Sequence, residues 1–162
     1  MPVFPSRRVR ETPFNQGVRA AGAKAFTVYN HMLLPTLFEG LEADCAHLKR
    51  HVQVWDVACE RQVSIRGREA ERLMRLISPR DIGRMQADQC YYVPCVDAAG
   101  GMLNDPVALR RGPDHCWLAL ADSDLLLWVQ GVATVLGLEV EITEPDVSPL
   151  AVQGPKAEAL ME

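Results

Sequence analysis

A chain of 162 residues, 48% hydrophobic and 23% charged, has the balance of an ordinary soluble globular protein with room for one core, which excludes the disordered class. The formal net charge of -4 argues against a nucleic-acid surface. Apolar runs such as Leu125 to Trp128 are too short to cross a bilayer, and the start lacks the apolar core of a secretory signal, so a cytoplasmic protein is expected.

The chain opens with Pro2, Pro5 and Pro13 around Arg7, Arg8 and Arg10, a composition that suits an extended arm with a solvated basic cluster. Phe14 to Ala21 predicts a short helix ended by Gly22. Phe26 to Tyr29 reads as a strand, and Asn30 to Pro35 as a loop, because Pro35 forbids simple continuation of a helix. A helix is expected over 39–50, with basic residues at the end where the dipole favours them. Val52 to Asp56 is short and apolar, like a buried strand, while Gln62 to Arg66 alternates as a half-exposed strand should. Ala70, Leu73, Met74 and Ile77 fall at i, i+3, i+4 and i+7, which predicts a helix over 68–77 stopped by Ser78-Pro79.

Gln89 to Arg110 reads as a β-hairpin that carries a site. Its first arm is largely β-branched or aromatic, residues 97–101 supply turn chemistry, and Met102 resumes a strand. Asn104-Asp105-Pro106 is odd inside a strand, since proline donates no ladder hydrogen bond. Two readings stay open: an edge strand with a polar bulge, or a carboxylate held at a pocket wall. Beyond it, residues 111–114 form a turn and His115 to Ala121 a strand. Asp122 or Ser123 can cap the next helix, with a stripe of Leu125, Val129, Val132 and Leu136 and a C′ glycine at Gly137. Leu138, Val140 and Ile142 alternate as one more strand. Leu150 to Val152 is a further strand, and Gly154-Pro155 opens a helix with proline at its first position, only about two turns before Glu162. That abrupt end leads us to expect part of a longer protein.

Five cysteines with no CxxC pair read as reduced, mostly buried thiols. His47 and His51 stand at i,i+4 and could share a helical face, but without an HExxH pattern or a third ligand no metal is expected. Trp55, Trp117 and Trp128 are assigned to core. The element order suggests an α+β architecture, antiparallel or mixed sheets with helices packed on one face.

The succession WDVACERQVSIRG (55–67), YYVPCVDAAGGMLNDPV (91–107) and LAVQGPKAE (150–158) resembles the folate-dependent aminomethyltransferase family, to which the T-protein of glycine cleavage belongs. Members carry an aspartate-valine segment, a GG-x-x-D-D hairpin and an LQGPKA segment in this order. Each motif alone is weak, and the ordered set over most of the chain is specific. FTVYNHMLLP (26–35), LISPRD (76–81), the Asn-Asp-Pro variant of the acidic pair, ADSDLLLW (121–128) and EITEPDVSPLAVQGPKAE (141–158) resemble the branch that demethylates dimethylsulfoniopropionate.

The resemblance implies part of a three-domain cloverleaf around a tetrahydrofolate channel. Residues 1–60 would begin a discontinuous first domain, 61–137 form the inserted second, and 138–162 start the return of the first, with the remaining walls beyond Glu162. It implies transfer of a sulfonium methyl to N5 of tetrahydrofolate, a reaction that asks for positioning and desolvation more than proton transfer. Asp105 matches the carboxylate placed near the reacting nitrogen, and Tyr92 a tyrosine facing the same cavity. Asn104 replaces the first acid of the pair, which counts against aminomethyl chemistry. Tyr29, Asn30, His31 and Met32 correspond to a loop near the pocket, with Tyr29, Asn30 and Met32 taken as substrate contacts and core packing the plainer reading of Tyr29 and Met32. Asp122 and Ser123 correspond to a segment that approaches the folate, with helix capping the plainer reading. The implied partners are a small sulfonium or aminomethyl donor and the missing part of the chain's own fold, with no nucleic acid or membrane. A glycine-cleavage aminomethyltransferase and a non-catalytic folate-binding or interaction module remain as alternatives.

Overall fold

The computed structural model describes residues 8–162, so Pro2, Pro5 and Arg7 of the expected arm lie outside the described residues. Contacts divide the chain into two units, Met1–Cys59 with Ser148–Glu162 and Glu60–Val147.

The first unit opens with a short helix α1 (Asn15–Ala20), followed by strands β1 (Ala25–Tyr29) and β2 (Met32–Leu37). These two strands pair antiparallel with Tyr29 opposite Met32, which leaves Asn30 and His31 as a two-residue turn at φ 47 and 61. The expected loop over 30–35 is therefore half of a hairpin: asparagine supplies the left-handed turn conformation that glycine usually provides. Pro35 is tolerated beside the register irregularity at Ala25/Phe26, in a sheet of only two strands. Arg10 is likewise no free tail, because its main chain bridges β2 at Met32. Helix α2 (Leu41–Arg50) begins where the Asp44 carboxylate accepts the backbone N–H groups of Phe38 and Glu39, both at 3.0 Å. Strand β3 (Gln53–Asp56) is not the buried strand expected, since Val54 and Trp55 are exposed.

The second unit is built on β4 (Gln62–Arg66), which is central rather than half-exposed: its residues 62–65 are all buried because strands lie on both sides. Helix α3 (Ala70–Ile77) follows as its spacing predicts, with Ala70, Leu73, Met74 and Ile77 all fully buried. Burial of each large member is worth about 1.5–3 kcal/mol. The central hairpin is split in two. Strands β5 (Cys90–Tyr92) and β8 (Val107–Gly112) pair in the main sheet, while β6 (Cys95–Val96) and β7 (Met102–Asn104) pair separately near the turn. Pro94 and Pro106 stand at the break, where the Val93 N–H donates to the Pro106 carbonyl at 2.9 Å.

Strand β9 (His115–Ala119) then pairs with both β4 and β8. Helix α4 (Leu125–Leu136) has its N-cap at Asp124, beyond the Asp122 or Ser123 expected there, and Asp124 makes no side-chain cap bond. Its buried stripe is Leu125, Val129 and Ala133, with Leu136 half exposed. Strand β10 (Glu141–Thr143) completes a five-stranded antiparallel sheet in the order β10-β4-β9-β8-β5. That pairing with β4 keeps residues 138–147 in the second unit, whereas the sequence reading drew the return at Leu138. Helices α3 and α4 pack on each other and on this sheet.

The chain re-enters the first unit as β11 (Leu150–Gln153), antiparallel to β3, and ends in α5 (Ala157–Met161). Lys156 flanks that helix, so Pro155 lies before the cap and not inside the first turn. The architecture is α+β, with every paired strand antiparallel. Among the described residues no helix is long and apolar enough to cross a membrane.

Candidate active site

Tyr92 closes β5, and Asp105 lies between β7 and β8, where Pro106 can make no ladder bond and the backbone leaves the sheet. The two side chains meet: Tyr92 Oη donates to Asp105 Oδ2 at 2.9 Å. Tyr92 is 53% exposed. Its hydroxyl pKa is raised, first by that hydrogen bond, then by desolvation and the negative charge of Asp105, so it stays a donor at neutral pH. Asp105 Oδ1 has no protein partner among the described residues, which leaves it as an acceptor at a half-buried position.

Asn104 faces the other way and is 4% exposed. Its Nδ2 donates to the Ala121 carbonyl at 3.1 Å and to Ser123 Oγ at 2.6 Å, while Ala121 N–H donates to its Oδ1 at 3.3 Å. The amide thus pairs with the main chain of residue 121 as another strand would, and the chemistry of Ala121 fixes which end is nitrogen. Sequence reasoning took Asn104 only as a substitution in an acidic pair. Its role as a pin on the 121–123 loop could have been suspected from the fact that an amide, unlike an acid, matches both a carbonyl and an N–H.

Of the other expected site residues, Ser123 is held by Asn104, and Asp122 is exposed in the same loop. Tyr29, Asn30 and Met32 belong to the β1–β2 hairpin of the first unit. There Asn30 is buried in the turn and donates to the Cys59 carbonyl at 3.0 Å, and Met32 is buried. Both have structural duties that the sequence did not reveal for Asn30.

The expected core tryptophans are not core: Trp55 and Trp128 are 41% and 40% exposed, and Trp117 is half-buried. All five cysteines are free thiols, with Cys59, Cys95 and Cys116 buried and Cys45 and Cys90 exposed. The His47 and His51 rings stand 4.9 Å apart, and His51 Nδ1 lies 3.1 Å from Lys156 Nζ. Among the described residues no group of three or more His, Cys, Asp or Glu could hold a metal.

A two-unit α+β chain that carries this hairpin site fits one family. The family model of the GCVT N-terminal domain matches residues 14–162, and the chain belongs to that family. It is 70% identical, over 98% of its length, to dimethylsulfoniopropionate demethylase DmdA of Ruegeria pomeroyi, covering 44% of that protein. Aminomethyltransferases of Desulfitobacterium hafniense and Rubrobacter xylanophilus are 25% and 29% identical over 95% of the chain, covering 43% and 42% of theirs. The fold matches glycine cleavage system aminomethyltransferase T of Bartonella henselae with a TM-score of 0.84, over 94% of this chain and 43% of that one, at 21% identity. The chain therefore spans less than half the length of the curated relatives it matches.

Proposed function

We propose that the chain serves a demethylase that transfers the S-methyl of dimethylsulfoniopropionate to N5 of tetrahydrofolate, leaving methylmercaptopropionate. The observation that carries this reading is the 70% identity to a dimethylsulfoniopropionate demethylase, sustained over 98% of the chain. The donor set fits a reduced pterin: a carboxylate oxygen without a protein partner can accept ring N–H groups, and the exposed Tyr92 ring offers an apolar face beside it. When bound, tetrahydrofolate supplies the amine lone pair that accepts the methyl.

The chain's own residues act by placement. A sulfonium methyl is already electrophilic, so no protein base is needed to start the reaction. Asp105, held by Tyr92, orients the acceptor and favours the positive charge that leaves sulfur and arrives at nitrogen. Asn104 pins Ala121 and Ser123, and this reading takes Asp122 and Ser123 as folate contacts and, separately, Tyr29, Asn30 and Met32 of the first unit as substrate contacts. The unit Glu60–Val147 is then the inserted second domain, and Met1–Cys59 with Ser148–Glu162 the discontinuous first. The five free thiols support a reducing, cytoplasmic compartment.

The test is formation of 5-methyltetrahydrofolate from dimethylsulfoniopropionate by the full-length protein, followed by mass spectrometry. Asp105→Asn keeps the shape but removes the charge, and should lower turnover about 10²–10³-fold while the protein stays folded. A folded Asp105→Asn protein with full methyl transfer would make the carboxylate structural. Aminomethyl transfer without demethylation would replace this function by the glycine-cleavage one.

A further inference from the structure

In the five-stranded sheet, Val63, Ile65, Cys116 and Leu118 face the helices and form the core. The two-residue period sends Ser64, Arg66, His115 and Trp117 to the opposite face, and the register Tyr92↔Val107↔Ala119 places Tyr92 on it too.

At the far corner of that face two arginines stand beside neutral rings. His115 Nε2 lies 2.9 Å from Ser64 Oγ and accepts from Trp117 Nε1 at 3.0 Å. An indole N–H can only donate, so Nε2 is the acceptor and the imidazole proton sits on Nδ1. Arg66 Nη2 stands 3.5 Å from that same Nδ1. Two N–H donors thus face each other with no acceptor between them, an arrangement that a single anionic oxygen would satisfy from both sides. The Arg111 guanidinium lies 4.7 Å above the centre of the Trp117 ring.

Neither arginine has a carboxylate partner among the described residues, although Glu141 is in register with Arg66 across β10 and β4. In the same unit Arg61, Arg68, Arg72, Arg75, Arg84 and Arg110 each pair with an acid. Arg80 also lacks an acidic partner among the described residues and lies over the Tyr91 ring at 5.1 Å, so this corner holds two of the three arginines of the unit without an acid. Planar guanidinium groups without an acidic partner suit carboxylate recognition.

The corner is spaced from the Tyr92 site by the sheet itself. His115 is four residues along β9 from Ala119, which shares the row of Tyr92 two strands away. That is about 14 Å along and about 10 Å across, or about 17 Å corner to corner. An extended folate, from pterin to glutamate carboxylates, has a comparable length. We propose that Arg66, Arg111 and the His115 N–H form a carboxylate subsite for the glutamate tail of the folate whose ring Tyr92 and Asp105 orient. The inference rests on the folate reading of the preceding section.

The experiment compares tetrahydrofolate with tetrahydropteroate, which lacks the glutamate, by equilibrium binding to the full-length protein. Wild type should bind tetrahydrofolate at least tenfold more tightly. Arg66→Ala and Arg111→Ala should each weaken tetrahydrofolate about tenfold and leave tetrahydropteroate unchanged, at an unchanged melting temperature. Arg66→Lys should recover part of the loss. Equal wild-type affinity for the two ligands, or variants that lose both equally, would overturn the subsite while the function stands. Binding of neither ligand would overturn the function and the subsite together.

Discussion

Asn104→Asp is the most informative substitution, because it restores an acid at the position where the resemblance has one and meets a loop built around an amide. An aspartate keeps an acceptor for the Ala121 N–H, and the Ser123 hydroxyl can turn to donate. It cannot donate to the Ala121 carbonyl, now 3.1 Å from the Asn104 nitrogen, so two acceptors would face each other there. An unpaired buried acceptor costs about 1–3 kcal/mol, and ionising a carboxyl at a position only 4% exposed adds to it. The expected loss is about 2–4 kcal/mol at pH 7.5, a large part of a typical stability of about 5–15 kcal/mol. Burial should raise the new carboxyl's pKa in the folded state. The unfolded chain then holds fewer protons, so the deficit grows as pH rises through the folded pKa and shrinks below it, where the protonated acid can donate to Ala121. Urea unfolding followed by tryptophan fluorescence at pH 5.0 and 7.5 reads both effects. Asn104→Leu, which pairs with neither Ala121 group, should be destabilised equally at the two pH values. Turnover should fall in Asn104→Asp without any gain of aminomethyl transfer. An Asn104→Asp protein within about 0.5 kcal/mol of wild type at pH 7.5 would refute the pin.

Three further outcomes are expected. A thiol reagent at pH 8 should modify Cys45 and Cys90 quickly and the buried Cys59, Cys95 and Cys116 only on unfolding; burial pushes the Cys95 thiol up to about 12 and raises Cys116 as well. Rapid labelling of all five in the native protein would contradict the packing. The pKa of His115 is held below 6.5 by burial and then by Arg66 and Arg111, so the unfolded chain takes the proton first; this contribution to stability is present above 6.5 and lost as pH falls through the depressed folded value. The loss should be smaller in His115→Asn, and an unchanged pH slope would show that the ring does not titrate in this way. Gly67→Ala should cost about 2–4 kcal/mol, since its new Cβ would meet the Glu139 carbonyl at φ 138, whereas Gly137→Ala, with open space at φ 61, should cost about 1 kcal/mol; equal losses in thermal denaturation would remove the close approach from the account.

What the sequence made legible depended on whether polar residues marked the wet face. In α3 the charged residues Glu71, Arg72 and Arg75 leave one apolar stripe, and the expected four residues are the buried ones. In α4 no residue is charged, so nothing in the pattern chose between Val132 and Ala133, and the stripe was drawn one position off. Strand β4 alternates, yet all four of its first residues are buried. Its polar members are satisfied inside the sheet, Gln62 by the Glu60 carbonyl and Ser64 by His115. Alternation signals two different faces, and only the neighbouring strands decide whether the polar one is wet. The β1–β2 hairpin was missed because its turn carries no glycine and its second strand carries Pro35.

The candidate site was legible where the chain broke a rule and silent where it obeyed one. Asp105-Pro106 is improper for a strand, and that impropriety pointed to the carboxylate that Tyr92 holds. Asn104, one residue earlier, is the proper last residue of β7, and its local sequence says nothing of the loop it reaches seventeen residues on. Ser123, expected as a cap, stands one residue before the N-cap Asp124 and is engaged by the same amide. An N-cap hydroxyl is worth about 1 kcal/mol to a helix. Here the hydroxyl accepts from Asn104, and α4 starts without a side-chain cap. Three hydrogen bonds to a buried amide, at about 0.5–1.5 kcal/mol each, outweigh that loss and fix the segment that leads from the hairpin to the helix. The helix start goes without a side-chain cap at Asp124 while the segment before it is pinned to Asn104.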